Sequence, residues 1–94
     1  MKTLLLIDIQ NDFLPGGALA VPGADELVPV VNALLPGFDL VVATQDWHPP
    51  DHGSFAANHP GRDVFETIDL DGLPQTLWPV HCVQNTGGAL FAPT

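Results

Sequence analysis

Two short apolar runs with a helical stripe between them carry the regular structure that the sequence predicts. Leu4-Leu5-Leu6-Ile7 is a continuous apolar run that ends at Asp8, the pattern of a strand buried on both faces. Residues 9–22 contain Pro15-Gly16-Gly17 and read as a loop. Gly23-Ala24-Asp25-Glu26 then opens a helix, with acids in the first turn to complement its dipole. Leu27, Val30, Val31, Leu34 and Leu35 recur at helical spacing and predict one apolar face. Pro29 sits early, where a missing N–H costs least, and Pro36-Gly37 stops the helix. Leu40-Val41-Val42-Ala43-Thr44 is a second buried strand, followed by Gln45-Asp46. Strand, helix, strand predicts a βαβ unit with parallel strands and a right-handed crossover.

From Trp47 onward the character changes. Six of the ten prolines fall here and neither period two nor period 3.6 is sustained, so the sequence predicts a long irregular stretch. Such stretches inside compact domains are usually functional. A parallel pair needs cover on both faces, and one crossover helix covers only one. No further element is predicted before Thr94. The expected fold class is therefore α/β, the start of a doubly wound parallel sheet cut off after a βαβ unit and a loop region. Residues 1–94 form the N-terminal part of a single domain in this reading.

Composition narrows the partners. The apolar content of 46% and mean hydropathy of +0.23 predict a globular segment. Lys2 and Arg62 face eleven acids, for a formal charge of −9. That charge repels phosphate backbones and anionic membranes, so neither nucleic acid nor membrane is an expected partner. A single cysteine, Cys82, allows no internal disulfide and suits a reducing compartment. The apolar run before Asp8 is too short for a signal segment or a membrane span, and a cytoplasmic location is expected.

The candidate chemistry lies in Asp46-Trp47-His48-Pro49-Pro50, in His52, and in Trp78-Pro79-Val80-His81-Cys82. Asp46 and His48 are two apart, so in an extended segment their side chains point the same way. They follow the C-terminal end of the second strand, where open α/β sheets form their ligand crevice. His52 reaches the same point if the Pro49-Pro50 turn folds back, and His81 must arrive on a separate, proline-stiffened loop. A mixed imidazole and carboxylate set suits zinc, iron(II) or manganese rather than calcium. Three protein ligands leave positions open, as in catalytic zinc sites. Each of these histidines also reads as an ordinary loop histidine, and His59 is expected to be solvated. Asp8 ends a strand at the same sheet edge. It reads equally as a general base with a pKa raised by partial burial and as an acceptor for loop amides. Asp12 reads as a structural acceptor, and Cys82 as a small buried thiol facing away from His81. Phe13, Leu19 and Trp78 form either pocket walls or core.

Five stretches together resemble one family. They are Leu6-Ile7-Asp8-Ile9-Gln10-Asn11-Asp12-Phe13, Gly16-Gly17-Ala18-Leu19-Ala20-Val21, Thr44-Gln45-Asp46-Trp47-His48-Pro49, His52-Gly53-Ser54-Phe55 and Leu77-Trp78-Pro79-Val80-His81-Cys82-Val83. In order and spacing they are similar to nicotinamidase/pyrazinamidase, a branch of the isochorismatase-like cysteine hydrolases. The resemblance implies a Rossmann-like three-layer α/β/α domain with a six-stranded parallel sheet. It implies hydrolysis of nicotinamide to nicotinic acid and ammonia in NAD salvage, with pyrazinamide as a further substrate. It maps the base onto Asp8 and the metal ligands onto Asp46, His48 and His81, with His52 a fourth ligand in some members. Zinc is the implied ion, with iron or manganese as alternatives. Phe13 and Trp78 match residues that sandwich the substrate ring, and Leu19 matches a pocket-lining position.

The same resemblance places the family's catalytic lysine and nucleophilic cysteine in a C-terminal half that these residues do not include. Cys82 matches instead the cysteine after the metal-binding histidine. The reading is therefore the N-terminal part of a nicotinamidase, inactive in isolation. Its alternatives are a metal- or ligand-binding remnant without activity and a hydrolase of another small amide.

Overall fold

A computed structural model describes residues 1–92; Pro93 and Thr94, where the sequence predicts no further element, lie outside the described residues. Strand β1 (Thr3–Leu6) pairs in parallel with β2 (Leu40–Ala43), in the register Thr3 to Leu40 through Leu6 to Ala43. The segment between them enters a 3₁₀ turn at Ala24–Glu26, continues as helix α1 (Leu27–Leu34) and ends in a second 3₁₀ turn at Leu35–Gly37. The predicted βαβ unit is thus present, but the helix begins later than Gly23-Ala24-Asp25-Glu26 suggests. Gly23 adopts a φ of 76°, a left-handed conformation that glycine takes without a Cβ clash.

The strands are less buried than their apolar runs predict. Leu4, Leu6, Val41 and Ala43 share the face turned to α1. Val28, Val31 and Leu35 meet that face around a cavity of about 250 Å³ that also contacts Leu6, Val41, Ala43 and Phe91. The opposite face is open, with Leu5 56% exposed and its cross-strand neighbour Val42 43% exposed. A two-stranded sheet with one crossover helix covers one face only, and nothing among the described residues covers the other. The helix likewise carries a second apolar stripe, Leu27, Val30 and Leu34, that is exposed. The radius of gyration of 15.6 Å exceeds the roughly 12 Å of a compact domain of this length, in keeping with these open faces.

The irregular region contains a hairpin that the sequence reading does not predict. Strands β3 (Thr67–Leu70) and β4 (Leu73–Thr76) form an antiparallel hairpin closed by Asp71-Gly72. Both turn residues have positive φ, 52° and 86°, as the two-residue hairpin turn requires. Pro74 faces Asp69, a non-hydrogen-bonded position in this register, where its missing N–H breaks no ladder bond.

The best-buried residues lie away from the sheet. Phe55, Leu77, Cys82, Ala89 and Gln10 are fully shielded and come from the loops beyond the C-terminal ends of β1 and β2. Among the described residues no helix is long and apolar enough to cross a membrane.

Candidate metal centre

Backbone pairing brings the two histidine-bearing loops together. The N–H of His48 donates to the carbonyl of Cys82 at 2.9 Å, and the N–H of Gln84 donates to the carbonyl of His48 at 2.8 Å. A second parallel bridge joins Phe55 to Trp78, through Trp78 N–H to Ser54 and Ala56 N–H to Trp78. The loop carrying His81 is therefore fixed by main-chain bonds against segments on both sides of His52.

The result is a convergent trio. One ligand atom each from Asp46, His48 and His81 lies within 4.8 Å of the others. Nε2 of His48 is 3.5 Å from Oδ2 of Asp46, and Nε2 of His81 is 4.0 Å from the same oxygen. His81 is buried, and its Nδ1 lies 2.7 Å from the carbonyl oxygen of Pro79. A carbonyl only accepts, so Nδ1 carries the proton and the Nε2 lone pair faces Asp46. A carboxylate oxygen and imidazole nitrogens turned toward one point form a donor set that suits a divalent ion, and a hydrogen-bonded far nitrogen is the usual companion of a metal-binding imidazole. The His48 pKa is lowered, first by burial and then by the neighbouring His52, against the opposing pull of Asp46.

His52 stands beside this trio without joining it. Its ring centroid is 4.5 Å from that of His48, but its Nδ1 accepts from the Ser54 N–H at 3.1 Å and lies 2.7 Å from the Ser54 hydroxyl. His59, expected to be solvated, is half-buried with Nε2 at 2.7 Å from the Gly53 carbonyl. Phe55 is the residue that the sequence reading left without a role. Its fully buried ring packs against His48, His52 and His81, with centroid distances of 5.6, 5.5 and 5.4 Å. Its place next to His52-Gly53-Ser54 was the only available signal.

Of the other candidates, Asp8 and Phe13 line one cavity beyond the end of β1. Asp8, at a φ of 53°, is half-buried, and its Oδ1 accepts from the Thr44 hydroxyl at 2.6 Å while its own N–H donates back to that oxygen at 3.0 Å. Phe13 lies beside His81, with ring centroids 5.8 Å apart. Leu19 is half-buried and held through its N–H to the Asp12 carbonyl. Trp78 packs edge-on against Phe65 at 6.0 Å.

Asp12 is an acceptor, as the sequence suggests, and it joins two loops. Its Oδ2 takes the Cys82 N–H at 2.7 Å and its Oδ1 the Ala18 N–H at 3.3 Å. Gly88 lies so close that a Cβ there would collide with the Asp12 carboxylate. Cys82 is fully buried, and its thiol is pushed up to about 12 by burial first, then by the negative charges of Asp12, Asp46 and Asp8. It does not act as a thiolate near neutral pH.

No family model matches the chain. Individual proteins match it closely. A nicotinamidase of Acinetobacter baylyi is 54% identical across 96% of this chain, which covers 42% of that protein. The solved structure of an Acinetobacter baumanii nicotinamidase/pyrazinamidase superposes with a TM-score of 0.90 at 56% identity, over 97% of this chain and 44% of that one. A Pyrococcus horikoshii pyrazinamidase, solved in complex with zinc, superposes with a TM-score of 0.75 at 41% identity, over 98% of this chain and 45% of its own. The chain thus spans less than half the length of the relatives it matches, and its fold is that of the corresponding part of their α/β domain.

Proposed function

Because the chain is a homologue of nicotinamidases along nearly its whole length, we propose that it supplies the metal-binding and substrate-anchoring part of a centre that hydrolyses nicotinamide to nicotinic acid and ammonia. In this reading residues 1–94 are the N-terminal part of one isochorismatase-like hydrolase domain, and pyrazinamide is a second substrate. The observation that carries it is the convergence of Asp46, His48 and His81 from two loops onto one point.

Those three residues hold the ion, zinc first among the candidates, while His52, a fourth ligand in the sequence reading, stands beside them with its Nδ1 bonded to Ser54. When bound, the ion supplies a fixed positive charge that orients the pyridine nitrogen of the substrate. Phe13, Leu19 and Trp78 wall the ring. Asp8, held by Thr44, is the base that takes the proton of the attacking group. In the complete reaction a thiol attacks the amide carbon, ammonia leaves, and water releases the acid from the thioester. Cys82 is too deeply buried and too weakly acidic for that attack. Cys82 is the single cysteine, so no thiol among these 94 residues is placed for the attack, and the chain by itself does not turn over nicotinamide.

The pyridine anchor is testable directly. Cobalt(II) bound to the chain reports its coordination through visible absorption. Nicotinamide is expected to change that spectrum, whereas benzamide, which lacks the ring nitrogen, is not. Equal responses to both, or none to either, contradict the proposal.

A further inference from the structure

Gln10 is fully shielded from solvent, a rare state for an amide side chain. Its Nε2 donates to the carbonyls of Asp46 and Ala89, both at 2.8 Å, and its Oε1 accepts the N–H of Asp46 at 2.8 Å. Only this orientation satisfies all three bonds, because a flipped amide would set oxygen against two carbonyls. The side chain therefore grips both main-chain polar groups of Asp46 as a neighbouring strand would.

This grip begins where the sheet ends. The ladder between β1 and β2 stops with Thr44 N–H to the Leu6 carbonyl at 2.8 Å. Beyond it, the two segments diverge, and Gln10 spans the gap to Asp46. Gln10 is itself anchored: Asn11 N–H donates to Leu90 and Ala92 N–H to Ile9, both at 2.9 Å. Gln45 Nε2 shares the Ala89 carbonyl at 2.8 Å, closing the network. His48 is tied to the segment that follows His81 by a separate main-chain bridge to Val83. Asp46 is the member of the trio whose backbone is set from the other side.

We propose that Gln10 is a positioning residue that locks the backbone of Asp46 so that its carboxylate can share one divalent cation with His48 and His81. The inference rests on the metal reading given above. Outer partners that fix a ligand typically matter by about 10–100-fold in metal affinity.

The test uses the 94-residue chain and two variants. Gln10→Met keeps the length and removes all three bonds; Gln10→Glu keeps the acceptor for the Asp46 N–H and removes both donors. Amide exchange without metal is expected to find the Asp46 N–H protected in the parent and in Gln10→Glu, and unprotected in Gln10→Met. The Gln84 N–H, bonded to His48, is expected to stay protected throughout. Cobalt(II) affinity is expected to fall about 10–100-fold in Gln10→Met, with altered visible bands, and to fall less in Gln10→Glu. If Gln10→Met also loses Gln84 protection, Gln10→Glu alone decides, through weakened cobalt binding on an intact fold. Unchanged cobalt affinity and spectrum in a folded variant overturn the proposal, as does an unprotected Asp46 N–H in the parent. A parent chain that binds no cobalt while its Asp46 N–H depends on Gln10 overturns the metal reading and leaves the grip on Asp46 standing.

Discussion

His81 presents Nε2 to Oδ2 of Asp46 at 4.0 Å while its Nδ1 is held 2.7 Å from the Pro79 carbonyl. One nitrogen anchors the ring and the other is offered, so the tautomer is chosen by the loop that carries it. His52, a short way off, has the opposite arrangement, with Nδ1 already accepting from Ser54. The two rings are therefore not equivalent candidates.

The first prediction uses that contrast. Calorimetric titration with zinc is expected to give one site in the parent and in His52→Ala, and no site in His48→Ala. Loss of the site in His52→Ala with retention in His48→Ala would reverse the assignment.

Asp12 joins the loop after β1 to the His81–Cys82 loop through the Cys82 N–H. Asp12→Ala leaves that inward-facing N–H without its partner, which costs about 1–3 kcal/mol. Urea denaturation followed by tryptophan fluorescence is expected to show a lower midpoint for that probe. Gly88→Ala is expected to act in the same direction, because its Cβ meets the Asp12 carboxylate. An unchanged midpoint in both contradicts the clasp.

Cys82 gives a prediction with a defined sign. Its folded-state thiol is raised from an ordinary 9.0 to about 12. The unfolded chain therefore releases this proton first as pH rises, and the folded state does not. Stability is unaffected by this group below pH 9.0 and declines as pH climbs from there toward about 12. Iodoacetamide at pH 8 is expected to label the native chain slowly and the urea-unfolded chain fast. Equal rates would mean an accessible thiol.

How much of this was legible beforehand follows from the kind of signal each element leaves. Leu4-Leu5-Leu6-Ile7 and Leu40-Val41-Val42-Ala43-Thr44 name their strands through continuous apolar runs, and the parallel pairing follows from the helix between them. Their burial was overestimated, because an apolar run reports what a strand prefers to bury and not what is present to cover it. The Asp71-Gly72 hairpin was missed although Asp-Gly is a strong turn signal. Pro74 and the lack of an alternating apolar pattern hid the strands on either side. Asp46, His48 and His81 were legible by residue type and position. Gln10 and Phe55 were not, because their roles come from burial and from contacts between segments distant in sequence.

The open sheet face leads to a fourth expectation. Leu5 and Val42 are paired on a face that no described residue covers. A two-stranded sheet is a weak cooperative unit on its own. Thermal or urea unfolding of the isolated monomer, followed by tryptophan fluorescence and far-UV circular dichroism, is expected to give broad transitions that do not coincide. A sharp, coincident two-state transition in the monomer contradicts this.

The central claim is that two loops beyond the parallel strands bring Asp46, His48 and His81 onto one divalent ion. Its most direct test is the zinc content of the purified chain after dialysis against trace metal, measured by inductively coupled plasma mass spectrometry. One equivalent in the parent and less than a tenth of that, roughly, in a folded His81→Ala variant is the predicted result, since removing one of three ligands dismantles such a site. Equal zinc in the two proteins contradicts the account.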